Sequence, residues 1–369
     1  MGFTHSQRLE RWLGTDTVER LSCSMRDWYG PPIAIANVPG HVYAAKGGEF
    51  VGVIQGGYFA NLADYSTQRT NRILRNVARR NRLTFHAGFT SLSDLISEAT
   101  AGGKSQILSF VQAGAAGVAA RSNSLWSVGP WPPVGAAGGT TGTGVALTRA
   151  TAGALAHQNA GVGDQLHITT VTVQASVAGQ ILLLYDNLWN MTHTMTVDPR
   201  SCDAVNPPTR YQTAALAPGN FFSGHVTTVL PAATPTITLD YVDQDGNNVT
   251  GSALSTIASA AAVNTIPFTA PNWFYPLAST DQGLRSLQNS ANAINLSAAM
   301  ASGVVTWNIG HPLVFCPVGA ANTPVIIDGI NSAFNLQRIY DNACLCFLEL
   351  CKSATTATNW WGSLHMVSG

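Results

Sequence analysis

The stretch Ile237-Thr238-Leu239-Asp240-Tyr241-Val242-Asp243-Gln244-Asp245-Gly246-Asn247-Asn248-Val249-Thr250 decides how the larger part of this chain folds. Ile237, Leu239 and Tyr241 alternate with Thr236, Thr238 and Asp240, the period-two pattern of a half-buried strand. The strand runs into Asp245-Gly246 and an apolar residue resumes at Val249, which is a hairpin signal. Gly246 is expected to take a positive φ, open to glycine without strain. The segment also mimics half of a calcium loop. With Gly246 at the sixth position, however, the first ligand would be Tyr241 and the twelfth Ser252, and both fail.

Working outward, the same texture recurs. Met191, His193, Met195 and Val197 alternate with threonines, and Ile181 to Tyr185 is a continuous apolar run, as in a fully buried strand. Further strands fit near 166–175, 210–216, 225–230, 303–309, 312–317, 324–328 and 343–351. Gln282 to Ala301 reads as a helix or an ordered crossover. Strands at this spacing predict a β-sandwich or jelly-roll-like domain over 145–369. Residues 1–121 read as a mixed, helix-containing region. Helices are expected from Asp16 to about Met25, from Ala60 to Leu83, from Ser91 and from Ser105. Between the first two lies an extended, Gly-rich stretch at 33–58 with turn punctuation at Pro39-Gly40 and Gly47-Gly48. Residues 122–144 are Gly- and Pro-dense and read as a linker, which Trp126 and Trp131 anchor on a surface. The expected class is therefore α+β.

Composition narrows function. Of 369 residues 46% are hydrophobic and 10% charged, against roughly 25% charged in an average soluble domain. That excludes disorder. Nineteen basic and nineteen acidic residues cancel, which excludes a globally basic nucleic-acid binder. Residues 1–125 hold 13 basic and 8 acidic residues, a net of +5, and 126–369 hold 6 and 11, a net of −5. So few charges do little to keep monomers apart, so a subunit of a larger assembly is expected. Six cysteines in this length are no disulfide framework. Met1 to Arg26 is mixed polar and charged, so no secretion leader is expected. The longest uncharged run of interest, Ser105 to Ala120, is short for a membrane span.

Six arginines, Arg69, Arg72, Arg75, Arg79, Arg80 and Arg82, fall within 14 residues that contain no acid. On a helix Arg72, Arg75 and Arg79 would share a face. A partner protein is the expected receiver; a solvated or intramolecular face and a phosphate array are the alternatives. Trp126 and Trp131 join this interface set. The run Glu98 to Ser105 brushes the P-loop pattern but has Glu where glycine is required. Cys344 and Cys346 would share a strand face with Leu348 and Leu350, with Cys351 opposite, and read as core residues rather than metal ligands. No His-Glu-x-x-His and no Gly-x-Ser-x-Gly occurs. No catalytic residue, metal or cofactor is expected. Trp273, Tyr275, Trp360 and Trp361 are candidate sugar-stacking rings.

The strand and turn Ile237 to Asn247, the Ala/Gly/Thr/Asn-rich and Lys-poor composition, and the closing Asn359-Trp360-Trp361-Gly362 resemble virion structural proteins of tailed bacteriophages, of the head decoration or cement kind. The resemblance covers mainly 165–369. It implies a non-enzymatic protein that assembles in the host cytoplasm into virions. It also implies a β-sandwich or jelly-roll body and an oligomer, often a trimer, seated on the major capsid protein or other virion proteins; from the charge balance and the short apolar runs, neither nucleic acid nor a membrane is the expected partner. A major shell protein or a carbohydrate- or receptor-binding virion module are the alternatives.

Overall fold

The computed structural model describes strand backbone at 18–19, 34–38, 41–46 and 49–55. Beyond these it describes Phe89 and residues 91–369, apart from 102, 115, 117–118, 120, 140–141, 203–205, 213–217, 252–254, 270, 331–335 and 352–355. The chain separates into two compact units, Met1–Arg80 and Asn81–Gly369.

In the first unit, β1 (Val18–Glu19), β2 (Ala34–Val38), β3 (His41–Lys46) and β4 (Glu49–Gln55) form one antiparallel sheet in that order. The Pro39-Gly40 and Gly47-Gly48 turn punctuation lies outside the described residues. Val18 and Glu19, expected in a helix, pair with Ala36 and Ile35. The remainder of that helix, the Ala60–Leu83 helix and all six clustered arginines lie outside the described residues.

The second unit begins with α1 (Leu92–Ala101), the one helix among the described residues. Ser91 caps it: the Asp94 amide donates to Ser91 Oγ at 3.0 Å, satisfying one of the orphan donors of the first turn. Then follow β5 (Ser105–Ala113), β6 (Ser122–Ser124), β7 (Pro130–Trp131), β8 (Val145–Ala146), β9 (Leu166–Ala175) and β10 (Gln180–Thr194). Next are β11 (Phe221–Thr228), β12 (Thr236–Leu239), β13 (Tyr241–Asp243), β14 (Asn248–Val249), β15 (Ser255–Thr256), β16 (Leu284–Leu287) and β17 (Ile294–Leu296). The chain ends with β18 (Val304–Val318), β19 (Val325–Asp328), β20 (Arg338–Ile339), β21 (Leu345–Cys351) and β22 (Asn359–Ser368).

The α+β expectation is thus wrong: the structure is 43% strand and 4% helix, with one short helix among the described residues. Ser105 onward is β5 rather than a helix: exposed and covered positions alternate along it, and it pairs with β22 over its whole length. Gln282 to Ala301 holds two strands and no helix. The 303–309 and 312–317 segments are one continuous strand, β18. No strand forms at 209–212.

Two large antiparallel sheets organise this unit. The first runs β11-β18-β10-β21-β6, with β8 also on β10; the second runs β19-β9-β22-β5-β7, with β20 also on β9. They share a core of Phe110, Leu166, Val171, Leu182, Leu184, Phe347, Trp360 and Leu364. Strands β10 and β18 are each 15 residues long, with register shifts at Leu184/Tyr185 and Asn187/Trp189. Such irregularities bend a strand, and the two halves serve different cores. The far halves pack Trp189, Met191, Trp307 and Ile309 against Phe268 and against Ile237 and Tyr241, which belong to the two three-stranded sheets β15-β12-β17 and β14-β13-β16.

The opening hairpin lies in those small sheets. Tyr241 pairs with Val249 and Val242 with Asn248. Gly246 has φ 91°. The Asp243 carboxylate accepts from the amides of Asp245 (2.9 Å) and Asn247 (2.7 Å). Burial alone would raise the Asp243 pKa, and these hydrogen bonds overcome it, so the carboxyl sits below its ordinary value.

Residues 122–144 are not a free tether. They supply β6 and β7, and Trp126 is buried, its indole N–H donating to Ala136 O at 2.9 Å. The glycines are there for close approach. A Cβ on Gly135 would fall on the Trp126 ring, one on Gly138 would meet Thr192 and Thr306, and one on Gly144 would fall on the Trp189 ring. The strap lies over a buried polar row that includes Asn190, Asn308 and Ser223, and Gly139 N donates to Asn190 Oδ1 at 3.3 Å.

Candidate functional site: the outer face of the second sheet

Five strands position this face. Paired residues of an antiparallel ladder point to the same side, so the register reads out its rows. Trp131 on β7 opposes Val111 on β5, Val111 opposes Trp361 on β22, and Trp361 opposes Gln174 on β9. The next row is Ser109, Ser363, Thr172 and Ile326 on β19; the third is Ile107, His365, Thr170 and Asp328. The inward neighbours Phe110, Trp360, Leu364 and Val173 are buried. Outward, Trp131 is 58% exposed, Ile107 61%, Ile326 66% and Val111 39%, while Trp361 is half-buried.

In these three rows the only Asp, Glu, Lys or Arg is Asp328, at the far corner, where its carboxylate accepts from Ile330 N at 2.8 Å. The Ser363 hydroxyl and His365 Nε2 stand 3.3 Å apart. Beside Trp131 runs a groove of about 290 Å³, lined among others by Pro132, Pro133, Thr151, Ala152 and Leu155. At its wall Arg149 donates to His157 O at 2.7 Å.

The sequence-derived ring candidates divide here. Tyr275 and Trp360 are buried at 3% and 0% exposure and cannot stack on anything from solvent. Trp273 is half-buried and packs against a core that includes Phe221 and Tyr185. Trp126 is core. Trp131 and Trp361, put in separate lists by sequence reasoning, stand on one face. The signal that joins them is the strand pairing, which is not local in sequence.

Several interior polar groups are engaged by their neighbours. Asp186 is fully buried; its Oδ2 accepts from Arg210 Nε at 2.8 Å and its Oδ1 from Arg210 Nη2 at 2.9 Å and Cys344 N at 2.8 Å. Nearby His311 stacks on Tyr211 (ring centroids 3.8 Å, 4°), and burial lowers its pKa to about 4, so it stays neutral. Cys344 and Cys346 are buried with Leu348 and Leu350 in one core, their sulfurs 3.8 Å apart. Burial pushes the Cys346 thiol well up, away from reactivity. Among the described residues no group of three His, Cys, Asp or Glu is arranged to hold a metal.

No protein-family model matches this chain, and no curated protein matches it. Among solved structures it is similar to that of the infectious bursal disease virus Gt strain, at 11% identity over 72% of this chain and 81% of that one, with a TM-score of 0.14. It is also similar to a mutant VP2 protein of infectious bursal disease virus in derived T=1 particles, at 9% identity over 71% and 77%, with a TM-score of 0.15. Similarity at that level fixes neither fold nor role.

Proposed function

We propose that this chain is a non-enzymatic structural subunit of a virion, one that works by packing against copies of itself and neighbouring shell proteins. The observation that carries the reading is a cluster of exposed valines at one end of the long arm built by β10, β18 and β11. Val197, Val229 and Val263 are 46%, 53% and 38% exposed. They sit on loops tied together there: Met195 N donates to Gly303 O, Leu230 N to Ala261 O and Asn264 N to Val226 O. Apolar side chains grouped on an exposed tip favour association. Residues 126–369 have little surface charge to oppose it: Asp186, Asp240, Asp243 and Glu349, four of their eleven acids, are buried. The resemblance to phage decoration proteins supplies the finer reading, a trimer seated on a capsid.

Sedimentation at micromolar concentration tests association, with Val197→Asp and Val229→Asp shifting the mass toward monomer. Mass spectrometry of purified particles tests the location, with the chain present in stoichiometric amount. A parent that sediments only as monomer, or particles lacking the chain, would overturn the reading.

A further inference from the structure

We propose that the outer face of the second sheet binds a neutral oligosaccharide, with Trp131 and Trp361 as its stacking platforms. The proposal rests on this face alone and not on the virion reading. The two indoles belong to the same cross-strand row, separated by Val111. Two strand spacings put their backbones about 10 Å apart. That distance suits rings one residue removed from each other along a chain of linked pyranoses, whose apolar C–H faces lie flat on aromatic rings.

The neighbours match the rest of a sugar. Ser109, Ser363 and Thr172 fill the adjacent row and Gln174 ends the tryptophan row, so hydroxyl and amide groups stand beside the rings. These groups donate and accept, as sugar hydroxyls require. The charge pattern selects the same class. A nucleic acid or an acidic glycan needs cations near its anionic groups, and these rows hold neither Lys nor Arg. A protein partner would favour a continuous apolar centre, but the middle of this face is hydroxyl-rich, with Ile107 and Ile326 at its margins. The rings are also supported from behind, since Trp360, Phe110 and Val173 are buried beneath them. A rigid sheet presents them without ordering cost.

The test uses the full-length protein and maltohexaose, cellohexaose and chitohexaose as probes, followed by tryptophan fluorescence and saturation-transfer NMR. At least one probe should bind saturably. Trp131→Ala and Trp361→Ala should each weaken it on the order of tenfold, the scale of one stacking contact. Trp131→Phe and Trp361→Phe should retain most of the affinity. Melting temperature and sedimentation mass should stay at the parent's values for Trp131→Ala. Absence of saturable binding to all three probes overturns the proposal, as do alanine variants that bind like the parent. A Trp131→Ala variant of changed sedimentation mass would show a protein interface here instead. None of these outcomes alters the valine-tip test, so the two readings fail separately.

Discussion

Replacing Gly144 by alanine separates two physical accounts of residues 122–144 by the sign of its effect. If this Gly- and Pro-rich stretch were a tether, alanine would restrict the unfolded chain and stabilise the protein by about 0.4–1 kcal/mol. In the structure a Cβ at Gly144 falls on the Trp189 indole. Trp189 is 1% exposed and wedged among Met191, Phe222 and Trp307 in one core, so it has nowhere to move. Overpacking of this kind costs about 1–3 kcal/mol, and the rigid neighbour places Gly144→Ala near the upper end. Subtracting the unfolded-state gain leaves a net loss of about 2 kcal/mol. At about 2–4 °C per kcal/mol for a domain of this size, the melting temperature should fall by about 4–8 °C. Gly319→Ala is the control, since its Cβ meets nothing within 4 Å and its φ is ordinary; it should hold or slightly raise the melting temperature. Calorimetry of the three proteins decides. A Gly144→Ala variant that melts at or above the parent would refute the packed strap.

Two further perturbations probe the buried charges. Arg210→Met strands the Asp186 carboxylate at 0% exposure and should cost about 3–5 kcal/mol in urea unfolding; adding Asp186→Asn should recover much of it, and a single variant as stable as the parent would show that the pair contributes nothing. Glu349 is also fully buried, and Asn123 Nδ2 donates to its Oε2 at 3.2 Å. Burial raises its pKa above 4.5, more than the bonds from Thr358, Asn123 and Trp360 lower it. The folded protein then holds this proton after the unfolded chain has released it, so this group's contribution to stability falls as pH rises from about 4.5 through the raised value. Glu349→Gln should remove that fall, and identical pH profiles for the two proteins would show Glu349 to be ordinarily ionised.

Local patterns were legible where one face was buried and the other was not. The strand 166–175 was read to its ends, and the turn at Gly246 followed from two residues. The Cys344, Cys346, Leu348 and Leu350 face was visible because a strand's period is fixed at two. What failed was arbitration between periods. Ser105 to Ala113 is uncharged and follows a helix, and only its pairing with β22 along the whole length makes it a strand. The glycines of 135–144 look like flexibility in sequence. They are absent side chains opposite Trp126, Thr306 and Trp189, partners up to 168 positions away.

The same non-locality explains why the tryptophan platform escaped the sequence. Trp131 sat in a presumed linker and Trp361 beside Trp360, and adjacency suggested that the latter two act together. Consecutive strand residues point to opposite faces, so Trp360 had to be core if Trp361 was exposed. The alternation therefore allows only one of the two to be a surface ring, and the buried partners Gln112 and Ala175 opposite Trp360 show which. Once Trp361 is outward, its ladder partner Val111 is outward too, and Val111 carries the assignment across to Trp131. Each step follows from hydrogen-bond register alone. The exposure of Trp131 and the half-exposure of Trp361 then leave two large apolar rings on a face with hydroxyls between its apolar margins. That is a poor surface for a dry protein contact and a good one for a ligand that is apolar on its faces and hydroxylated at its rim.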